Sequence, residues 1–165
     1  MKTGLAMCFV AMLGLAACQG PVSAPPFERY EISAQRRAEI PERMLAAVNA
    51  LRQEAGVGLL VLDPALSAAA AGHSKDMSRQ NRPWHFGSDG SSPLMRVAAA
   101  GFAGVFLGET VSETYETELE TISVWAADTG TRAVLLAPAA THLGVGFFQE
   151  RSGKIWWTLV VGAQS

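Results

Sequence analysis

The sequence predicts an α+β domain in which helices fill the first half and antiparallel strands close the second. Two observations carry this. Apolar residues recur at helical spacing between Pro41 and Met77, the signature of helix faces turned to a core. The C-terminal part instead holds LGVGFFQE and KIWWTLVVG, two runs of strand length separated by Arg151, Ser152 and Gly153, the pattern of a hairpin. Helices and strands that segregate along a chain favour a layered α+β arrangement over alternating βαβ units.

Taken in order, the first helix is expected from about Pro41 to Ala55. Met44, Val48 and Leu51 share a face, Glu42, Arg43 and Arg52 lie elsewhere, and Gly56 can end it. The apolar run GLLVLD, residues 58 to 63, leads into a second helix, with Asp63 as N-cap and Pro64 at the first helical position. Leu66, Ala70, His73 and Met77 form its buried face. A short third helix runs from Ser92 to Ala100 and stops at Gly101. Thr117 and Glu120 make a capping box for a fourth, whose apolar stripe is Leu119, Ile122, Trp125 and Ala126. VFLGETV, residues 105 to 111, reads as a strand before the C-terminal hairpin. Of Trp156 and Trp157, one falls on each face of its strand, one in the core and the other near a cleft or under a helix.

The N-terminal stretch MKTGLAMCFVAMLGLAAC reads as an export signal over residues 1–17. Lys2 supplies the positive start, and Leu5 to Leu15 form an apolar run too short to span a bilayer comfortably. LAAC, Leu15 to Cys18, is similar to the bacterial lipobox, which makes Cys18 the acylation site and the membrane the partner of the N-terminal lipid. Residues 18–33, with three prolines after the cysteine and no apolar periodicity, read as a flexible tether, and residues 34–165 as the domain. Cys8 leaves with the signal and Cys18 carries lipid, so no thiol remains for a disulfide, a metal site or a nucleophile. The formal net charge of −2 becomes −3 without Lys2. That mild acidity, with no basic stripe, argues against a nucleic-acid partner.

Five segments then stand in a characteristic order: VNALRQEAGVGLLVLDPALSAAAAGHSKDM, WHFGSDGSSPLMRVAAAGF, LGETVSE, VWAADTGTR and HLGVGFF. With these the chain resembles the bacterial branch of the CAP superfamily of cysteine-rich secretory, antigen-type and pathogenesis-related proteins, over about residues 41 to 162. The resemblance implies an α-β-α sandwich, a central antiparallel sheet flanked by helices, with a cleft. It maps a cleft histidine onto His85, before the GSDG turn, and a cleft glutamate onto Glu109, in GET where the family has GEN. A second family histidine follows a tryptophan in a W-x-x-S-P-G-H-R motif. Here WAADTGTR keeps Trp125, Gly130 and Arg132 but puts Thr131 at the histidine position, and Thr110 replaces the asparagine after the glutamate. His85, Glu109, Trp125 and Thr131 are therefore the candidate cleft residues.

In many relatives such a cleft holds a divalent metal, which maps here onto His85 and Glu109. A threonine hydroxyl is a poor ligand beside an imidazole, and zinc wants three or more protein donors. The expectation is no resident cofactor, with at most a weakly held divalent ion. His73 shares an apolar helix face and reads as a satisfied core residue. His142 reads as a surface or capping group. Ser74 is adjacent to His73, and neighbouring helical residues diverge, so no serine–histidine dyad forms there. Glu113, Glu116, Glu118 and Glu120 lack the spacing of a calcium loop and read as a solvated helix start.

Three functions remain open. The chain is read first as an exported, lipid-anchored, non-enzymatic module whose cleft takes a small-molecule, lipid or peptide ligand, either periplasm-facing or on the outer membrane. A second reading is an envelope peptide or cell-wall hydrolase, with His85 as general base and Glu109 as its orienting carboxylate; it lacks a visible activated nucleophile. The third is a structural envelope protein with a vestigial cleft.

Overall fold

A computed structural model describes residues 30–114 and 116–164. The expected signal peptide, the expected acylation site Cys18 and most of the expected tether lie outside the described residues. The last part of the tether does not behave as one. Ile32 is buried in the core, and Gln149 brackets the segment, accepting from the Ile32 amide at 2.9 Å and donating to the Tyr30 carbonyl at 2.8 Å. An isoleucine that can be buried holds a segment that its proline-rich context would leave free.

Helix α1, Ala34–Glu54, starts well before Pro41, because Ser33 supplies an N-cap to the Arg36 amide. Pro41 lies inside the helix. Its lost hydrogen bond is tolerated because Ile40, Met44, Val48 and Arg52, four residues apart, bury one continuous stripe. Arg52, expected off that stripe, is wholly buried within it. Its guanidinium donates to the carbonyls of Gly58, Leu135, Ala137 and Ala140 at 2.6–3.1 Å. Gly56, at φ +69°, reverses the chain after the helix.

The apolar run after it yields only a two-residue strand, β1, Val61–Leu62. The reason is local: Asn49 pairs with both the amide and the carbonyl of Leu60 and takes them from any ladder. Helix α2, Pro64–Gln80, begins as expected, with the Asp63 carboxylate on the Leu66 amide and Pro64 in the first turn. Asn81, at φ 50°, ends it in a left-handed turn. Helix α3, Pro93–Ala99, is capped by Ser92. Strand β2, Val105–Thr114, leads to α4, Glu118–Ala127, whose Thr117–Glu120 capping box forms in both directions. Asp128 then both closes α4 and caps an unforeseen helix, α5, Thr129–Leu135. The hairpin β3–β4 spans His142–Gln149 and Ile155–Ala163.

The sheet order is β1-β3-β4-β2. The hairpin and the β2–β4 pair are antiparallel, but β1 runs parallel to β3. The sheet is thus mixed rather than wholly antiparallel, because the chain returns from β1 to β3 only after four helices and β2 have intervened.

Helices cover both faces. Trp157, Leu159 and Val161 of β4 join Met44, Val48, Ile122, Trp125 and Leu135 on the face of α1, α4 and α5. On the other face Val160 packs with Leu66, Ala70, Val97 and Phe102 of α2, α3 and the segment after α3. Gly144 and Gly146 explain how closely α2 approaches: a Cβ on either would run into the α2 backbone at Leu66–Ser67 or Ala70–Ala71. Both tryptophans of β4 are fully buried. Trp156 donates to Glu150 at 2.7 Å and lies under Lys154.

The acidic group before α4 is not uniformly solvated. Glu120 serves the capping box and Glu116 is exposed. Glu118 is fully buried and accepts from Arg43 at 2.6 Å and from Tyr30 at 3.0 Å, with Arg36 at 3.5 Å. Its partners come from the docked segment and from α1, which sequence proximity could not reveal.

Candidate functional site

The loop after α2 is rigid despite its composition. Asp76 accepts from both the amide and the hydroxyl of Ser88, and from Gln80. Burial pulls the Asp76 carboxyl upward, but these bonds outweigh it and hold it below its ordinary value. Gly87 donates to the Ser91 carbonyl and Gly90, at φ +79°, closes the turn. Trp84 donates to Gln80 at 2.8 Å, lies under the Arg82 guanidinium and meets Phe86 edge-on.

This frame brings His85 onto β2. Its Nδ1 lies 2.9 Å from Oε1 of Glu109, although 24 residues separate the two. A carboxylate accepts, so Nδ1 donates to it and Nε2 is the nitrogen left outside the pair. The imidazole is 51% exposed and the Glu109 side chain only 3%. Nε2 has no hydrogen-bond partner among the described residues.

Two residues complete the cluster that sequence reasoning did not place there. Arg96, on α3, reaches both carboxylate oxygens of Glu109 at 3.1 and 2.8 Å and also donates to the His85 and Ser91 carbonyls. It therefore neutralises the buried carboxylate and locks the loop to it. The signal was present in the sequence: Arg96 is the only charged residue of α3. His73, on α2, is buried as expected but not satisfied. Its Nε2 donates to the Trp84 carbonyl at 2.8 Å and lies 3.9 Å from Glu109, while Nδ1 has no partner. Burial holds the imidazole below its ordinary pKa, with Glu109 opposing, so the ring is neutral at pH 7.

Trp125 and Thr131 are brought to each other and not to this cluster. The Thr131 hydroxyl donates to the Trp125 carbonyl at 2.7 Å and lies 3.2 Å from Asp128. Strand alternation separates the two places. Val111 pairs with Thr158, which accepts from Ser74 of α2, so Glu109, two residues earlier, faces α2 and α3. Gly108 faces Val134 of α5, and Thr110 shares that face. Trp125 is a core residue there, and Thr131 belongs to the α4–α5 junction. Ser74 is occupied by Thr158, and His142 lies beside Thr141 and edge-on to Phe102.

A divalent metal does not fit the cluster well. Both Glu109 oxygens already meet Arg96, and the His73 nitrogen nearest the carboxylate carries a proton for Trp84. His85 Nε2 and His73 Nδ1 are the ring nitrogens left without partners, and zinc wants three or more protein donors. Among the described residues no three His, Cys, Asp or Glu side chains are grouped to hold an ion. The chemistry available is therefore an oriented, outward-facing imidazole. No hydroxyl or thiol hydrogen-bonds it among the described residues.

Comparison with known proteins agrees with this architecture. The profile of the cysteine-rich secretory protein family, CAP, matches residues 45–161. An uncharacterized protein of Bacillus subtilis, YkwD, is 31% identical over 121 residues, covering 73% of this chain but 46% of its own length, so this chain spans less than half of that relative. Among solved structures, an extracellular SCP-domain protein of Bacillus anthracis superposes with a TM-score of 0.68 at 23% identity, over 74% of this chain and 40% of that one. An outer surface protein of Borrelia burgdorferi gives 0.67 at 12% identity, over 84% and 100%. A cysteine-rich secretory protein of Staphylococcus aureus gives 0.66 at 13%, over 83% and 42%. Such identities establish the fold alone; with the profile spanning most of the domain, the chain belongs to the CAP family.

Proposed function

We propose that this CAP domain is an exported, lipid-anchored binding module that works without catalysis and contacts its ligand through His85. One observation supports the reading above others. The imidazole is held on a buried carboxylate with its free nitrogen turned outward, while Phe86 beside it and Leu94 and Met95 on α3 stay exposed. An oriented ring nitrogen near exposed apolar side chains suits a ligand with one polar group on an apolar body. Glu109 and Arg96 are positioning groups: they fix the tautomer and hold the loop. That structural relatives include an extracellular protein of Bacillus anthracis and an outer surface protein of Borrelia burgdorferi supports export. No described helix is long and apolar enough to cross a membrane, and the anchor is assigned to Cys18.

The test is a thermal-shift screen of the full exported chain against divalent ions, single-chain lipids and muropeptides, alongside a turnover assay. A binding module shows ligand-dependent stabilisation that His85→Ala and Phe86→Ala remove, with no product formed. Turnover of a muropeptide that disappears in His85→Ala favours the hydrolase instead. Stabilisation indifferent to His85→Ala sinks both readings and leaves a vestigial cleft.

A further inference from the structure

The layer made by α2, α3 and the loop between them has an outer surface of a different character from the rest of the molecule. From Pro64 to Ala100 the sequence holds four cations, Lys75, Arg79, Arg82 and Arg96, against two acids, Asp76 and Asp89. The whole chain is formally −2, so everything outside this segment sums to −4. Arg96 is taken up by Glu109, and Asp76 by Ser88 and Gln80. Lys75, Arg79 and Arg82 stay exposed. Helical spacing turns Lys75 and Arg79 away from the buried stripe of Leu66, Ala70, His73 and Met77. Among these cations stand Phe86, Leu94 and Met95, each at least half exposed, and Arg82 lies 4.0 Å from the centre of the Trp84 ring.

Resting on the lipid-anchored reading above, we infer that this layer is a docking surface for an anionic phospholipid bilayer, the one into which the Cys18 lipid inserts. Guanidinium and ammonium groups meet lipid phosphates, while apolar tips between them enter the interface. A protein partner would favour a contiguous apolar centre depleted in charge; here cations and apolar side chains are interspersed between residues 75 and 95. The place where the chain leaves the domain points the same way. Gln149 holds the Tyr30 carbonyl, and the next residue, Glu150, accepts from Ser78 in the last turn of α2. Lys154 donates to Asn81, directly after that helix. The segment leading to the anchor therefore starts at the end of the sheet where α2 stops and the loop begins. Cys18 lies twelve residues before Tyr30, at most about 40 Å of extended chain. The opposite layer, with Glu39, Glu42 and Glu54 on α1 and Glu120 on α4, is repelled by such a surface. Docked in this way, the domain presents His85 to the bilayer.

The experiment is hydroxyl-radical footprinting of the wild-type exported chain, read by mass spectrometry. It is run in buffer, on vesicles of phosphatidylglycerol with phosphatidylethanolamine, and on vesicles of phosphatidylcholine alone. The same spectra show whether Cys18 carries lipid. The expected result is a several-fold fall in oxidation of Phe86, Leu94 and Met95 on the anionic vesicles. Leu119 and Val124, exposed on α4 across the sheet, are oxidised as in buffer. Raised salt weakens the protection. The double variant Arg79→Glu, Arg82→Glu loses it, since each cation near an anionic surface accounts for about fivefold in affinity. Protection of the same three residues in a chain without lipid on Cys18 upholds the docking face and sinks only the anchor. A lipidated chain whose three residues stay as reactive on vesicles as in buffer overturns the inference. So does equal protection on both layers or on neutral vesicles, and so does protection in buffer that grows with protein concentration, which marks a second copy as the partner. An unlipidated chain left unprotected overturns both the face and the anchor.

Discussion

Glu118 carries the sharpest stability prediction. Its carboxylate is buried while Arg36 and Arg43 remain 39% exposed. The Glu118→Gln variant keeps the shape and removes the charge. A hydrogen bond to a charged group contributes about 1.5–3 kcal/mol. The exposed arginines regain water when the charge goes, so their share falls to about 1 kcal/mol. The Tyr30 bond, with its donor half-buried, adds about another 1 kcal/mol. The expected loss is about 2 kcal/mol, or roughly 4–8 °C in Tm for a domain of this size. Burial would raise the Glu118 carboxyl, but the bonds from Arg43, its own backbone amide and Tyr30 prevail and hold it below the ordinary 4.5. The wild-type advantage is therefore complete above about pH 4.5 and fades as pH falls through the lower folded value. Burial and the Glu118 bond push the Tyr30 hydroxyl up to about 12, so it stays a donor throughout this range. Urea unfolding of both proteins from pH 3 to 8 measures the gap. A variant within about 0.5 kcal/mol of wild type at pH 7, or a gap that does not shrink in acid, refutes the reasoning.

Other substitutions test the scaffold. Arg52→Met should cost about 3–5 kcal/mol, since it strips four carbonyls of their donor, and a small change in the urea midpoint would contradict this. Gly146→Ala should cost about 1–3 kcal/mol by wedging α2 off β3, visible as faster amide exchange in α2. Arg96→Leu leaves the buried Glu109 carboxylate with the His85 hydrogen bond but no guanidinium, with an expected loss of about 3 kcal/mol. Amides 85–91 should then exchange faster; unchanged protection would show that Arg96 does not hold the loop.

Local rules made much of the helical layer legible. Asp63–Pro64, Ser92 and the Thr117–Glu120 box each mark a helix start by short-range chemistry, and each start is where the sequence places it. The hairpin was equally plain from its apolar runs. What failed depended on partners distant in sequence. Pro41 masked a helix whose cap, Ser33, lay in a proline-rich segment. Glu118 read as solvated because Tyr30, Arg36 and Arg43 lie 75 to 88 residues away. Helix α5 was hidden by Gly130 and by its brevity, since one capping aspartate is a faint signal. At the candidate site, His85 and Glu109 came from family resemblance rather than from any periodicity. Arg96 and the incomplete bonding of His73 are matters of packing that no spacing rule could have disclosed.

The Arg52 clamp bears on the order in which the molecule assembles. Three of its four acceptors lie 83 to 88 residues further along the chain, and Ser74 waits for Thr158 across 84. An arginine stripped of water before those carbonyls arrive would be a naked cation, so the first helix has no reason to bury its stripe early. Burial of that stripe must await the segment between α5 and β3. The domain is thus expected to be slow to fold for its size, and fragments ending before Leu135 should leave the stripe of α1 hydrated.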